Sequence, residues 1–155
     1  MTETPLTIQS ILVPELTLSG VPGTSKKRIL ELIAEHIARR YPELEEAQIF
    51  NNLVSRERLG STGIGQGIAI PHCRLENCNH VIGALLTLEE GVAFDAIDNQ
   101  PVDLLFVLIV PKEATSEHLE LLSQLAEKFN ERTFCERLRR CEDATQLYEA
   151  MTQSQ

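Results

Sequence analysis

Hydrophobic positions along the chain recur at two spacings, and the change from one to the other marks out the expected elements. Behind Ser25, or Thr24 before it, Ile29, Ile33 and Ile37 with Leu30, Ala34 and Ala38 repeat at helical spacing. Either hydroxyl suits an N-cap, and the helix should end near Tyr41-Pro42. A second helix is predicted from Glu45 to about Arg58, with Ile49, Phe50, Leu53 and Val54 inward. Ile68-Ala69-Ile70 reads as a short, half-buried strand that Pro71 stops, so His72 should stand at the strand's end. Val81–Leu88 and Val102–Val110 are the best strands, and the second is so uniformly apolar that both of its faces must be covered. Glu89-Glu90-Gly91 and residues 95–101 should supply the turns between them, with Val92-Ala93-Phe94 as an edge strand.

The two ends of the chain are less regular. Up to Gly23, short apolar pieces (Ile11-Leu12-Val13 and Leu16-Thr17-Leu18) are broken by Pro14, Pro22 and two glycines, which suggests an extended lead-in with one strand, disordered over residues 1–8. After Pro111, Ser116 should cap a helix that turns Leu119, Leu122, Ala126 and Phe129 to the core. Shorter helices are expected at about Thr133–Arg140 and, capped by Asp143, at Ala144–Met151. Helices before, between and after a set of strands imply an α/β fold, a mixed β-sheet sandwiched between helices, in one domain spanning residues 1–155.

Composition narrows the function. With 155 residues, 43% of them hydrophobic, the chain has enough apolar surface for one core of ordinary size. A formal net charge of −9 without any basic block argues against nucleic acid and against an anionic membrane surface. The longest apolar run, Leu104–Val110, is far too short to span a bilayer, and Met1–Ser10 has neither a basic nor an apolar signal region, so a cytoplasmic location is expected. Four cysteines, at 73, 78, 135 and 141, are then expected as free thiols. Cys73, Cys78 and His80 beside His72 suggest zinc as a competing use. Their Cys-x4-Cys-x-His spacing fits no common zinc pattern, and a ligating His72 could not be a nucleophile, so neither metal nor cofactor is expected. His36, on the polar side of the first helix, reads as a surface histidine.

The chemistry concentrates between Leu59 and Arg74. Gly60, Gly63, Gly65 and Gly67 allow positive φ and let backbone N–H groups approach an anion, and Ser61 and Thr62 add hydroxyl donors. A P-loop is excluded because no lysine occurs between Gly60 and His72. A dinucleotide fingerprint from Gly65 would need its third glycine at Ile70, with a helix opening where Pro71 stands. Nor is there a Gly-x-Ser-x-Gly elbow. Histidine itself remains as nucleophile: one nitrogen of His72 accepts a group while the other is held by a hydrogen bond. The second helix delivers Arg56 to the lip of this loop, where a cation suits phosphate.

Arg56-Glu57, Gly60-Ser61-Thr62-Gly63-Ile64-Gly65 and Ile68-Ala69-Ile70-Pro71-His72 together resemble the phosphorylation-site signature of the fructose/mannitol-type enzyme IIA family of the bacterial phosphotransferase system. Ser25-Lys26-Lys27-Arg28 and Glu117-His118-Leu119 resemble the flanks of its nitrogen-regulatory members, and the likeness runs from about Ile8 to Met151. The resemblance implies an α/β sandwich and a phosphoryl carrier charged at His72 by a histidine phosphocarrier protein. It also implies a hydrogen bond from His118 to the phosphoryl group. Phosphate oxygens would rest on Arg56, Ser61, Thr62 and Gly63 and on the loop amides. Two positions depart from the pattern: Gln66 stands where Asn or His is common, and Cys73 where Gly is common. Three functions stay open at this point. One is a phosphocarrier, either regulatory or part of a sugar-uptake system. Another is a docking regulator switched by phosphate charge, and the third a zinc or nucleotide module. The absence of a fused sugar-specific segment favours regulation.

Overall fold

A computed structural model of the protein describes residues 7–22, 25–113 and 117–153, the side chains of Glu117 and His118 excepted. In chain order its elements are α1 (Ile8–Ile11), β1 (Leu12–Val21), α2 (Lys26–Arg40), α3 (Glu46–Leu59), β2 (Gly63–Gly65), β3 (Ile68–Ala69), β4 (His72–Leu75), β5 (Ile82–Val92), β6 (Val102–Pro111), α4 (Glu117–Phe129), α5 (Arg132–Arg139) and α6 (Ala144–Gln153). Ser25 caps α2 by accepting the Arg28 N–H, while Thr24 and Ser116, the other expected caps, lie outside the described residues. Asp143 caps α6 through the Gln146 N–H at 2.8 Å, as its position suggested. The expected lead-in ran to residue 8, whereas Thr7 already closes a capping box over α1 and Ile8 is buried.

The strands form one mixed sheet in the order β1-β5-β6-β3-β2, with β4 also paired to β6. β6 is its spine, antiparallel to β5 on one side and parallel to β3 and β4 on the other. Its side chains alternate cleanly. Leu105, Val107 and Ile109 join the core under α2 and α3, and Leu104, Phe106, Leu108 and Val110 the core under α1, α4, α5 and α6. β1 is an edge strand beside β5, which is why it tolerates Pro14: an edge position needs no ladder donor on its outer side.

Five expectations require correction. Pro71 does not end the pairing that places His72. Every residue of β3 and β4 lies opposite the one 36 positions later, Ile68 opposite Leu104 and His72 opposite Leu108, so both strands run in one register along β6. The break at Ile70-Pro71 is bridged by the Leu108 N–H, which donates to the Pro71 carbonyl at 2.9 Å. His72 therefore opens β4, and Ile68, Ala69 and Ile70 are fully buried rather than half-buried.

Glu89-Glu90-Gly91 is likewise no turn. It is an exposed irregularity within β5, whose register slips between Thr87 and Val92. Val92 closes that strand, so no separate edge strand forms over residues 92–94. The last correction concerns α4, which turns Leu121, Leu125 and Phe129 inward and leaves Leu119 56% exposed and Ala126 exposed. Its apolar residues admit two overlapping stripes, and the buried one carries an additional leucine in place of the small Ala126. No helix among the described residues is long and apolar enough to cross a membrane.

The register of α4 can be checked by chemical denaturation. Leu121→Ala should lower stability by about 2–5 kcal/mol, while Leu119→Ala should stay within about 0.5 kcal/mol of wild type.

Candidate functional site

The last turn of α3 carries two consecutive side chains, Arg56 and Glu57, which point about 100° apart around the helix axis, and Arg56 reaches the start of β4. Gly60 ends the helix at φ +153°, a conformation that L side chains rarely adopt. Arg56 bends back over this end: its Nη1 donates to the Gly60 carbonyl at 2.9 Å and its Nε to His72 Nε2 at 3.2 Å. On the other side of the imidazole, Nδ1 lies 2.9 Å from the Ile70 carbonyl oxygen.

These partners determine the tautomer. A carbonyl oxygen only accepts, so Nδ1 carries the proton; a guanidinium only donates, so Nε2 presents its lone pair. The strand position makes this geometry possible. Ile68 and Ile70 belong to the core beneath α4, and Ala69 and Cys73 to the opposite core, so the pleat turns His72 to the face that α4 covers. His118 is the second residue of α4, and its side chain lies outside the described part of the structure.

His72 lines an open cleft of about 410 Å³ with Arg56, Leu59, Arg74 and Val110. Arg56 thus contacts the ring and Arg74, whose Nη1 donates to the Lys112 carbonyl at 2.9 Å, lines the same cleft in a chain of net charge −9, while Leu59 stands 84% exposed at the rim. A larger cleft, about 670 Å³, lies elsewhere, between the end of β1, α2 and residues 142–144. It has His36 in its wall, half-buried, its imidazole pushed below the ordinary range by burial and by Arg39.

Among the three loop residues named from sequence, both hydroxyls and the N–H groups of Thr62 and Gly63 are engaged. Ser61 Oγ donates to the Phe94 carbonyl at 2.6 Å and accepts the Gly63 N–H at 3.0 Å. Thr62 is buried, its N–H 3.2 Å from either oxygen of Glu57 and its hydroxyl donated to the same carboxylate. A Cβ on Gly63 would lie 2.7 Å from that of Ala96, so close packing, beyond any ligand, demands glycine there. The β2–β3 hairpin turns at Gln66 and Gly67, with φ of 58° and 81°. Both lie in the left-handed region, which explains why Asn is a natural residue at position 66. The Gln66 N–H donates to Asp98 at 2.9 Å, and Arg139 holds its carbonyl at 2.8 Å.

Sequence reasoning missed Lys26, whose Nζ reaches Glu57 at 2.7 Å. A signal was present: Lys26, Lys27 and Arg28 occupy the first turn of α2 with no acid among them, where the helix dipole disfavours cations, so a partner from elsewhere is called for.

All four cysteines are free thiols. Burial, with Cys78 nearby, pushes the Cys73 thiol up to about 12, so little of it is thiolate near neutral pH. Cys78 Sγ donates to the His80 carbonyl at 2.9 Å, and the His80 ring meets Tyr41 edge-on. Among the described residues no group of three His, Cys, Asp or Glu side chains is arranged to hold a metal ion.

A family model described as phosphoenolpyruvate-dependent sugar phosphotransferase system, EIIA 2, matches residues 10–154. A nitrogen regulatory protein of Pseudomonas aeruginosa is 53% identical over 148 residues, 96% of either chain. One from Escherichia coli is 45% identical over 154 residues, 99% of this chain and 94% of the other. The solved structure of nitrogen regulatory protein IIA-Ntr from Neisseria meningitidis superimposes with a TM-score of 0.88 at 41% identity, over 94% of this chain and 99% of that one. The crystal structure of Escherichia coli mannitol IIA, only 18% identical, shares the fold with a TM-score of 0.70 over 96% and 99% of the two chains. Since the family model spans nearly every residue that the structure describes, and the relatives align over almost their whole lengths, the chain belongs to the EIIA 2 family of the phosphoenolpyruvate-dependent sugar phosphotransferase system.

Proposed function

We propose that His72 accepts a phosphoryl group on Nε2 from a histidine phosphocarrier protein in the cytoplasm, and that the chain acts as a nitrogen-regulatory IIA that controls partner proteins by its phosphorylation state. One observation carries the reading: the Ile70 carbonyl holds the proton on Nδ1, which leaves the lone pair of Nε2 facing a cationic cleft. In the transfer, the phosphorus–nitrogen bond to the carrier's histidine breaks as the bond to Nε2 forms, with the negative charge spread over three phosphoryl oxygens.

Arg56 occupies the lone pair at rest and must swing aside for in-line attack, which brings its guanidinium onto those oxygens. The engaged donors of Ser61, Thr62 and Gly63 argue for a framing role and leave Arg56 as the phosphate-facing cation of the loop region. His118 is proposed as a second donor, because α4 begins over the face to which His72 turns. For regulation, phosphorylation sets close to two negative charges beside an exposed leucine, Leu59, at the cleft rim, so the same surface presents opposite polarity in its two states.

Incubation with phosphoenolpyruvate, enzyme I and the carrier protein should give acid-labile label that maps to His72 and is abolished in His72→Ala. Label that persists in this variant, or that is alkali-labile, contradicts the assignment. Transfer should slow as the pH falls through the protonation of His72, because the imidazolium has no lone pair to attack phosphorus. A flat rate across that titration, with the donor system controlled, argues against Nε2. His118→Ala should still accept label but transfer it about 100-fold more slowly, with partial rescue by His118→Gln; wild-type time courses in both directions would remove His118 from the mechanism.

A further inference from the structure

We propose that Glu57, neutralised by Lys26, is a positioning residue that sets the orientation and tautomer of the His72 imidazole through Thr62 and Ile70. This rests on the reading of His72 as the phosphoryl acceptor. Each link is a hydrogen bond of the structure. Lys26 Nζ stands 2.7 Å from Glu57 Oε1, in a pair whose side chains are 21% and 5% exposed. The Glu57 carboxylate takes both the N–H and the hydroxyl of Thr62. The Thr62 carbonyl accepts the Ile70 N–H at 3.0 Å, and the Ile70 carbonyl accepts His72 Nδ1–H at 2.9 Å. The far end is anchored as well: Lys26 Nζ donates to the Phe94 carbonyl at 3.3 Å and lies 4.8 Å over the Phe94 ring, and the same carbonyl holds the Ser61 hydroxyl.

The arrangement does more than pack a loop. Consecutive residues of one helical turn reach the two sides of a single ring: Arg56 contacts Nε2 directly, and Glu57 acts on Nδ1 through two backbone steps. A nearly buried carboxylate needs its full set of donors, so it ties Thr62 tightly to α3. Ile70 stands in the break between β3 and β4, where the ladder to β6 holds it less firmly than its neighbours, and the Thr62 carbonyl is what fixes its N–H. A small shift of that residue loses the bond to Nδ1. An imidazole released in this way has Arg56 at Nε2 as its remaining tautomer-setting partner of the pair, and the intrinsic preference of a free imidazole for a proton on Nε2 then competes with that bond, which mixes the tautomers. Glu57 thereby keeps the reactive nitrogen bare without touching it.

The nitrogen-15 spectrum of the His72 side chain in unphosphorylated protein reads this directly and needs no phosphoryl donor. Wild type should show a protonated Nδ1 and a bare Nε2. In Glu57→Ala and in the milder Thr62→Val, which removes only the hydroxyl, the two signals should move toward a tautomer average. Transfer at saturating carrier should fall about 10- to 100-fold with little change in half-saturating carrier concentration. Thr62→Ser should recover much of the loss seen in Thr62→Val, and Glu57→Gln part of that in Glu57→Ala. A folded Glu57→Ala or Thr62→Val with wild-type His72 nitrogen shifts overturns the proposal, and if Glu57→Ala does not fold, the valine and serine pair at position 62 decides alone. Shifts that move as expected in a protein whose His72 takes up no label would uphold the positioning and defeat the phosphoryl reading.

Discussion

β6 is buried on both faces, and a strand in that position can satisfy its backbone only through neighbours along both edges. On one edge β5 provides an antiparallel ladder, interrupted between Thr87 and Val92; on the other, β3 and β4 share the work in a single parallel register. The site depends on this. Because the register does not slip at Ile70-Pro71, His72 is held opposite Leu108, and the pleat decides which face its ring takes. A slip of one residue would turn the imidazole toward the core under α2 and α3, where Cys73 now packs.

The same break creates the chemistry. Where β3 ends and β4 begins, the carbonyl of Ile70 is available to the imidazole of His72, two residues on. A histidine in an unbroken ladder would have no such acceptor from its own strand. Arg56 completes the ring's environment because α3 ends at Gly60, whose left-handed backbone exposes a carbonyl that the guanidinium can grip while it reaches Nε2. Charge is used sparingly but locally. In a chain of net charge −9, Arg56 and Arg74 both face the cleft, and Lys26 is placed to neutralise the carboxylate that organises the loop. An anion arriving at Nε2 meets a field that the overall charge would not suggest.

The chain belongs to the EIIA 2 family and is closely similar to nitrogen regulatory proteins. The cleft at His72 is open, with an exposed leucine at its rim, a shape that a surface of another protein can reach more readily than a deep pocket. The Cys73 thiol beside His72 is buried, and burial keeps it protonated near neutral pH.

Much of this was legible from residues alone, for a common reason: the features read correctly are local. The apolar periods of α2 and α3, the uniform apolarity of β6, the Asp143 cap and the glycine-rich approach to His72 each depend on neighbours within a few positions. The misreadings arose where distant segments arbitrate. Proline stops an isolated strand, yet β6 carries the register past Pro71 because its own amides need partners. The apolar residues of α4 allow two stripes, and the core beneath chose Leu121 and Leu125 over Leu119 and Ala126. Glu89 to Gly91 resemble a turn in composition, but pairing of Val92 with Val102 keeps them within β5. Ser61 and Thr62 advertise hydroxyls, and only the folded chain reveals that Phe94 and Glu57 have claimed them. The chain by itself thus determined which side chain the glycine-rich motif leads to, the imidazole of His72. Tertiary structure decided which of its two nitrogens is bare, because that choice belongs to Ile70, Arg56 and the contacts that hold them.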